Sequence, residues 1–379
     1  MLISDAGTTF LPIRMRFIDV AYYYNRTTRP ELLLEAHRAN LGYFDFLPQN
    51  WHCSLIKFAD GEGHIPRERF DYHYFQGRGS RLWWPLKANR FIGRQQPQVV
   101  MVHGLIFPWQ LLLLRRQLDK HAKIIVQHHA DVPGKGIMRW LQRRANRCVD
   151  AYLFAAEALS EPWVQQGIIE KEKVFQVMEG STDLPELDKH TARHYLQLPG
   201  GPVFLWVGRL NANKDPLTVL RGFSKFLREQ PAAKLYMVYQ DEELLNDVQQ
   251  LVNSDALLRS SVILKGRMDK KELAYWYNAA DFYISGSHSE GSGYALIEAM
   301  CCGCVPLVTD IPSFRHITSN GDAGFLFKRG DADSLLETLR RAMQVNVHEF
   351  SLKAKEQFQR ELSFKAIARQ LCRVCEAIK

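Results

Sequence analysis

The stretch Ser285–Pro306, SGSHSEGSGYALIEAMCCGCVP, decides the fold of this 379-residue chain. It follows the apolar run Phe282–Ile284, which predicts a buried strand, and opens with the glycines and serines typical of a loop. A helical pattern then covers Ala295–Met300 and stops at Gly303, with a proline beyond it. The stretch therefore predicts a strand, a glycine-rich loop and the N-terminus of a helix.

Two carboxylates flank that helix N-terminus. The terminus presents unpaired backbone N–H groups and the positive end of the helix dipole, which suit a phosphate. Glu290 in the loop and Glu298 in the second helical turn are poor partners for phosphate but good acceptors for paired hydroxyls. We interpret the set as a site for a ligand with sugars around a phosphate. A solvated loop glutamate and an ordinary helix glutamate remain the alternative on spacing alone.

The segment EGSGYALIEAMCCGCVP resembles the Glu-x7-Glu signature of the retaining glycosyltransferases of family 4, also called group 1, which have the GT-B fold. The segment Val207–Asp215, VGRLNANKD, is similar to the part of that family that carries a diphosphate-binding arginine and lysine, here Arg209 and Lys214. The resemblance extends from Val203 to the C-terminus and is diffuse before it.

The chain departs from the family pattern at two places near the expected donor pocket. Ser292 stands where the family more often has a bulky residue, and Tyr236–Glu242 replaces a glycine-rich turn. These departures concern the identity of the donor and leave an inactive, degenerate transferase as an alternative.

The resemblance implies transfer of a hexose from a nucleotide-diphosphate sugar to a saccharide or lipid-linked acceptor, with retention, in glycan or polysaccharide biosynthesis. By the same resemblance Glu290 contacts the transferred sugar as a catalytic residue, Glu298 holds the ribose hydroxyls, and Arg209 and Lys214 bind the diphosphate. Ligands of open α/β sheets lie beyond the carboxyl ends of the strands. The remaining expected donor-binding residues are Gly208, Gly266, Arg267, Gly291, Ser292, Gly293 and Tyr294.

Charge on the leaving diphosphate can be stabilised by a metal ion, or by arginine, lysine and helix N–H groups. Arg209, Lys214 and the amides near Ser292 supply the second set. The one Asp-x-Asp sequence, Asp331–Asp333, precedes a helical pattern and is interpreted as a helix cap. We therefore expect no metal and no cofactor.

Three histidines follow predicted strands in the first half, and family members often have a catalytic-site histidine at such a place. His128 and His129 form a pair in IIVQHHAD, and His103 follows VMV. We favour His128 or His129 as a contact to the donor sugar or pyrophosphate and rank His103 third. A lone histidine is more often structural.

The net charge of +8 is concentrated in residues 67–147, where 16 lysines and arginines stand against 4 acidic residues. Such a patch attracts anionic lipids, nucleic acid or anionic saccharide carriers. Within it, the predicted helix Ile137–Arg147 brings Arg139 and Arg143 near Trp140, which suits an acceptor side that contacts an anionic membrane. A solvated basic helix is the alternative. No nucleic-acid module is apparent, so we expect no nucleic-acid partner.

The length of 379 residues suits two domains, and strands alternate with helices in both halves. We predict two Rossmann-like, doubly wound α/β domains facing across a cleft. The expected bounds are 1–185 for the acceptor-side domain, 186–202 for a linker and 203–360 for the nucleotide-sugar domain. A C-terminal helix over 361–379 either packs on the nucleotide-sugar domain or crosses back to the first domain.

Localisation follows from apolar patterning and cysteine usage. Asp5 and Thr8–Thr9 interrupt any apolar leader, and the longest apolar stretch, Leu105–Leu114, is too short to span a bilayer. Seven cysteines, an odd number, do not form a disulfide framework. We expect a cytoplasmic protein, peripheral at the inner face of the cell membrane.

Two other functions compete with the transferase. One is a sugar-nucleotide epimerase of the same fold, which does not usually combine these two motifs. The other is a non-catalytic basic binding protein, which the charged patch permits.

Overall fold

A computed structural model describes residues 15–379 and divides the chain into two compact units. Of the described residues, the first comprises 15–177 with Ala368–Lys379, and the second comprises Met178–Ile367. The expectations drawn from residues 1–14 lie outside the described part.

The first unit is built on an eight-stranded sheet with the order β3-β4-β2-β1-β5-β6-β7-β8. Every neighbouring pair is parallel except β3 and β4, which are antiparallel. The strands are β1 Met15–Tyr24, β2 Trp51–Ala59, β3 Gly63–Pro66, β4 Asp71–Gln76, β5 Val99–His103, β6 Lys123–Gln127, β7 Ala151–Phe154 and β8 Val174–Gln176.

Helices join these parallel strands, as the crossover connections of a parallel sheet require. They are α1 Glu31–Ala36, α2 Arg38–Leu41, α3 Ser80–Trp83, α4 Leu86–Arg94, α5 Pro108–Arg115, α6 Gly136–Asn146 and α7 Glu161–Gln165. Short 3₁₀ turns lie at Gly42–Phe46, Glu157–Ser160 and Lys171–Lys173.

The second unit contains a six-stranded, fully parallel sheet with the order β11-β10-β9-β12-β13-β14. Its elements in chain order are α8 Lys189–Tyr195, β9 Val203–Gly208, α9 Pro216–Leu227, β10 Lys234–Tyr239, α10 Leu245–Ser254, α11 Ala256–Ser261, β11 Val262–Gly266, α12 Lys270–Ala279, β12 Phe282–Ser285, α13 Tyr294–Cys301, β13 Val305–Thr309, α14 Pro312–Ile317, β14 Phe325–Phe327, α15 Ala332–Ala342, α16 Val347–Gln357 and a π-helical turn at Phe358–Leu362. The last helix, α17 Phe364–Ala377, begins in the second unit and belongs to the first from Ala368 onward.

Each sheet is buried on both faces, which explains why its central strands are apolar runs rather than alternating sequences. In β1, Phe17 and Ile18 point to opposite faces and are both buried. In β9, Phe204 and Leu205 are likewise buried on opposite faces. The two Rossmann-like doubly wound domains predicted from the sequence are confirmed.

The domain bounds differ from the prediction. The first unit ends at Val177 rather than 185, and residues 186–202 belong to the second unit instead of forming a linker. Lys189 and Arg193 of α8 both pair with Asp281, at 2.6 and 2.5 Å, which fixes the segment to the second unit. The predicted C-terminal segment is also divided, because the first unit includes its last twelve residues, from Ala368 onward.

Glycine and proline interrupt several elements of the first unit. β3 begins at Gly63 and ends at Pro66, which an edge strand tolerates. α3 ends before Trp84, because the residue before a proline disfavours helical backbone. His37 separates α1 from α2.

Candidate active site

The loops after β9 and β12 meet at the point where the strand order of the second sheet reverses. From β9 the chain runs outward to β10 and β11, and from β12 it runs the other way. Ligands of doubly wound sheets bind beyond the carboxyl ends of the strands at such a switch point. An open pocket of about 330 Å³ lies there. It is lined by seven of the predicted residues: Gly208, Arg209, Lys214, Arg267, Glu290, Tyr294 and Glu298.

Backbone and side-chain contacts tie the two loops together. The His288 N–H donates to the Asn213 carbonyl at 2.7 Å, and the Asn213 amide donates to the Ser289 carbonyl at 3.0 Å. Gly286 permits the approach, since a Cβ there would lie 2.9 Å from the Asp215 carbonyl oxygen. The spacing between Lys214 and Glu290 is therefore set by the fold rather than by the two side chains alone.

Lys214 and Glu290 form an ion pair at the inner wall of the pocket. The Lys214 ammonium donates to Glu290 Oε1, and the two side chains are 21% and 13% exposed. A pair shielded to this degree interacts more strongly than one at the surface. Lys214, which is predicted to bind the diphosphate, and Glu290, which is predicted to contact the transferred sugar, are thus adjacent.

Arg209 lies at the rim of the pocket. Its guanidinium is 3.3 Å from the Asp241 carboxylate, and both side chains are more than half exposed. Asp241 belongs to the segment Tyr236–Glu242, one of the departures from the family pattern. The contact is weak enough, at this exposure, for Arg209 to exchange Asp241 for a ligand phosphate.

Glu298 is held in place by a tyrosine that the sequence analysis missed. The Tyr277 hydroxyl donates to Glu298 Oε2 at 3.0 Å. Burial raises the pKa of Glu298, and the hydrogen bond from Tyr277 partly opposes the change. Burial, followed by the Glu298 charge, raises the pKa of Tyr277 well above its usual value. The arrangement leaves Glu298 Oε1 and the rest of the carboxylate edge to accept hydroxyl groups.

Four predicted donor residues do not line the pocket. Gly293, with φ +62°, caps α13 in the left-handed region, and a Cβ there would lie 2.9 Å from the Phe314 ring. Ser292 is buried, and its hydroxyl has no hydrogen-bond partner within residues 15–379. Gly266, also left-handed, ends β11 and precedes Arg267, which does line the pocket. Gly266, Gly291 and Gly293 therefore set the course of the backbone around the site and are not part of the pocket lining.

Sequence reasoning missed seven residues of the lining. They are Val207, Val238, Tyr239, Gln240, Met268, Leu273 and Ala295. The first four lie at or directly after the carboxyl ends of β9 and β10, so the rule about carboxyl ends of strands could have found them. The other three lie one position after Arg267, in α12 and in the first turn of α13.

The histidines of the first unit have separate roles. His103 Nε2 lies 2.9 Å from Asp19 Oδ1, although the two atoms are not aligned as a regular hydrogen bond. His103 Nδ1 and His129 Nε2 are 2.7 Å apart, so one donates to the other. His128 is buried, its ring stacks on Phe154 at 4.6 Å, and its Nε2 contacts a backbone carbonyl. His103 and His129 are thus in direct contact, whereas His128 packs against Phe154. The contact of His128 or His129 with the donor stays a prediction.

The basic helix α6 exposes apolar and cationic side chains together. Ile137 and Trp140 are 78% and 57% exposed, and the Arg144 guanidinium lies 5.9 Å from the Trp140 ring centroid. Arg139 and Arg143 instead donate to backbone carbonyls near the helix, at 3.0 and 2.6 Å. The predicted helix is present, but its exposed face differs from the predicted set.

The sequence also led to predictions about a helix cap, metal binding, the cysteines and membrane-spanning helices. Asp331 caps α15 by accepting from the N–H groups of Asp333 and Ser334, so the cap is confirmed. Within residues 15–379, no group of three or more potential ligand side chains could hold a metal ion. All seven cysteines are free thiols. Within the same residues, no helix has the length and apolar composition that a bilayer crossing needs.

One family of known proteins matches the part of the chain that carries the site. The family model described as glycosyl transferases group 1 matches residues 189–360. A GDP-mannose:cellobiosyl-diphosphopolyprenol alpha-mannosyltransferase from Xanthomonas campestris is 22% identical over 283 residues, 71% of this chain and 70% of its own length. An alpha-monoglucosyldiacylglycerol synthase from Streptococcus pneumoniae is 30% identical over 159 residues, 41% of this chain and 36% of its own length.

Solved structures agree over almost the whole chain. A glycosyltransferase from Rickettsia africae has a TM-score of 0.75 at 14% identity, covering 96% of this chain and 98% of that one. HepE from Anabaena in complex with UDP has a TM-score of 0.72 at 14% identity, covering 96% and 100%. These similarities establish the predicted GT-B class of fold. The matched family favours a transferase over both alternatives, the epimerase and the binding-only protein.

Proposed function

We propose that this chain, whose residues 189–360 match the model of the group 1 glycosyltransferases, moves a hexose from a nucleotide-diphosphate sugar to a saccharide or lipid-linked acceptor. We further propose that the transfer proceeds with retention and without a metal ion. The observation that carries the proposal is the Lys214–Glu290 pair beside Glu298 in one pocket at the switch point of the second sheet.

The donor's three parts each find a matching group in that pocket. A diphosphate suits the cations Lys214, Arg209 and Arg267, because charge-assisted hydrogen bonds to phosphate are strong. A ribose suits Glu298, whose carboxylate can accept from both hydroxyls while Tyr277 fixes its orientation. The transferred sugar then lies beside Glu290.

The reaction breaks the bond between the anomeric carbon and a phosphate oxygen and leaves negative charge on the diphosphate. Lys214 can move from Glu290 to the diphosphate as that charge develops, which would stabilise the transition state more than the ground state. The freed Glu290 carboxylate would then face the positive charge that builds on the sugar. Retention requires the acceptor oxygen to enter on the face that the diphosphate leaves, where its hydroxyl proton would pass to the departing phosphate oxygen.

The proposed acceptor class draws on the relatives. The Xanthomonas campestris relative is named for a cellobiosyl-diphosphopolyprenol acceptor, and an Escherichia coli relative, 25% identical over 215 residues, for a GlcNAc-diphosphoundecaprenol acceptor. Their donors are named as GDP-mannose and UDP-galactose. A lipid-linked saccharide is therefore the first acceptor to test, with both guanine and uracil donors.

A lipid-linked acceptor would bring the protein to a membrane. We propose that α6 contacts anionic lipid through Ile137, Trp140 and Arg144, because exposed apolar and basic side chains on one helix favour the interfacial region. Co-sedimentation with phosphatidylglycerol vesicles should fall for Trp140→Ala and be unchanged for Trp84→Ala, another exposed tryptophan of the same unit. Equal binding by all three proteins would contradict the proposal.

The function is tested by a turnover assay in EDTA. The protein is incubated with GDP-mannose, UDP-galactose and UDP-glucose, each with a prenyl-diphosphate-linked saccharide, and the product's anomeric configuration is read by NMR. We expect transfer with one donor, an axial linkage from an axial donor, and loss of transfer in Glu290→Gln. Turnover that returns only with Mn²⁺ or Mg²⁺ would refute metal independence, and an inverted product would refute retention.

A further inference from the structure

A second pocket lies in the first unit, at the switch point of its own sheet. From β1 the chain runs outward to β2, β4 and β3, whereas β5 starts the run in the other direction. A pocket of about 430 Å³ opens at the carboxyl ends of β1 and β5. No acidic residue is among those that line it. Its polar lining includes Lys57, His37, His103, His129, Asn25 and Asn40.

Lys57 is the unusual member of this lining. It lies in β2 and is only 7% exposed, yet within residues 15–379 its ammonium makes no hydrogen bond and has no carboxylate within 4.0 Å. Burial lowers the pKa of Lys57, and the charge of the nearby Asp19 partly opposes that change. A buried ammonium without a close partner costs free energy. Because the ammonium of Lys57 lies in the wall of an open pocket, its position indicates an anion that completes the contact.

Asp19 does not satisfy that role. Its Oδ2 accepts from the Tyr43 hydroxyl at 2.6 Å, and its Oδ1 faces His103 at 2.9 Å. Burial alone would raise the pKa of Asp19, but His103 and then Lys57 hold it below its usual value. The carboxylate is fully buried and lies outside the lining. It stabilises the ring of His103, and through that ring His129, rather than filling the pocket.

We propose that this pocket binds a phosphate-class oxyanion, with Lys57 as its main charge contact and His37 as a hydrogen-bonding partner. The His103 and His129 rings, which bond to each other, form the wall beside it. The volume admits a sugar ring beside the phosphate, next to Asn25 and Asn40 of the lining. The anion is either the phosphate of a soluble sugar phosphate or that of a lipid-linked saccharide. Its assignment to the acceptor rests on the proposed function, whereas the binding site itself does not.

The test must silence the donor pocket, which is also expected to bind phosphate. Isothermal titration calorimetry with inorganic phosphate and with glucose 6-phosphate is therefore run on Lys214→Met, with glucose as the uncharged comparison. Adding Lys57→Met should weaken phosphate binding at least about ten-fold, the loss of one charge-assisted hydrogen bond. The matched control is Lys87→Met, which removes an exposed lysine that pairs with Glu62 in the same unit.

Phosphate binding that is unchanged by Lys57→Met, or absent from the Lys214→Met protein, would overturn the inference. Methionine keeps most of the lysine stem and removes a buried charge, so the variant should fold. A measurement on the wild type tests the site even if Lys57→Met does not fold. Phosphate should shift the imidazole NMR signals of His37, His103 and His129 but not that of exposed His348. Unshifted signals in the first three would also overturn it.

Two further comparisons are needed. One distinguishes a soluble from a lipid-linked source of the anion, and the other separates the anion site from the proposed function. Tighter binding of a prenyl-diphosphate-linked glucose than of glucose 6-phosphate assigns the anion to a lipid-linked ligand, and the reverse assigns it to a soluble one. Phosphate binding at Lys57 without any donor turnover would leave the site intact and contradict only the proposed function. Donor turnover with no effect of Lys57→Met on phosphate would contradict only the site.

Discussion

The Lys214–Glu290 ion pair predicts opposite effects of one substitution on binding and on turnover. The two charged groups are in direct contact and mostly buried in the ligand-free protein. For Lys214 to bind a diphosphate, part of that contact must be given up. Glu290→Gln removes the competing charge while keeping the size of the side chain. A nucleoside diphosphate, which has no sugar to contact residue 290, should therefore bind the variant more tightly than the wild type.

The size of the effect follows from the exposure of the pair. A buried charge-assisted hydrogen bond contributes about 1.5–3 kcal/mol, and an exposed pair about 0.2–1 kcal/mol. Lys214 is 21% exposed and can contact both partners at once. We expect about 1 kcal/mol to be released, which lowers the Kd of the nucleoside diphosphate about five-fold. Turnover should fall about a hundred-fold or more, because the charge opposite the reacting sugar is lost.

Calorimetry with the preferred nucleoside diphosphate measures the first effect, and the transfer assay measures the second. Glu229→Gln is the control, since its carboxylate pairs with Arg340 on the surface of the same unit. It should change neither quantity. A weaker or unchanged affinity of Glu290→Gln for the nucleoside diphosphate would refute the competition between Glu290 and the phosphates for Lys214.

Three more predictions concern the site and its stability. Tyr277→Phe removes the hydrogen bond to Glu298, so the Kd for nucleotide should rise about ten-fold, more steeply at low pH; an unchanged Kd in calorimetry would contradict the ribose role. Gly286→Ala should separate the two donor loops and weaken nucleotide binding, whereas Gly200→Ala, with no atom within 4 Å of the new Cβ, should not; equal affinities would contradict the packing argument. Burial, with other histidines nearby, lowers the pKa of His73 to about 4, so this ring stays neutral in the folded protein while it protonates near 6.5 when unfolded. The free energy of unfolding should therefore fall from pH 6.5 toward 4. This group contributes less than about 1.4 kcal/mol per pH unit, because the ring is partly exposed. His73→Gln should flatten the fall in urea titrations, and an identical slope would exclude the contribution.

The donor site could be predicted because its residues lie in two short, contiguous motifs. Lys214 and Glu290 each follow a strand within a few residues, and parallel strands bring their carboxyl ends to one edge. The pattern of apolar residues predicted the strands, and the glycines predicted the loops. The pairing of Lys214 with Glu290 could not be read in this way, since it depends on the hydrogen bonds between the two loops.

Contacts between separate elements were the part that sequence could not supply. Tyr277 reaches Glu298 from another helix, 21 residues away, and the 2.7 Å contact of His103 with His129 joins the ends of two strands. Lys57 looked like an ordinary strand lysine. Its burial becomes visible only when β2 is placed inside an eight-stranded sheet.

The measurement that tests the central claim most directly is nucleotide binding by the wild type and by Lys214→Met. A thermal-shift panel of nucleoside diphosphates and nucleotide sugars first selects the base, because a ligand that binds the folded state raises its apparent stability. Calorimetry with that nucleotide then compares the two proteins. We predict one site and a Kd that rises at least about ten-fold in the variant, the cost of one charge-assisted contact to the diphosphate. No shift with any nucleotide, or equal affinities for both proteins, would contradict the claim that this pocket holds the donor.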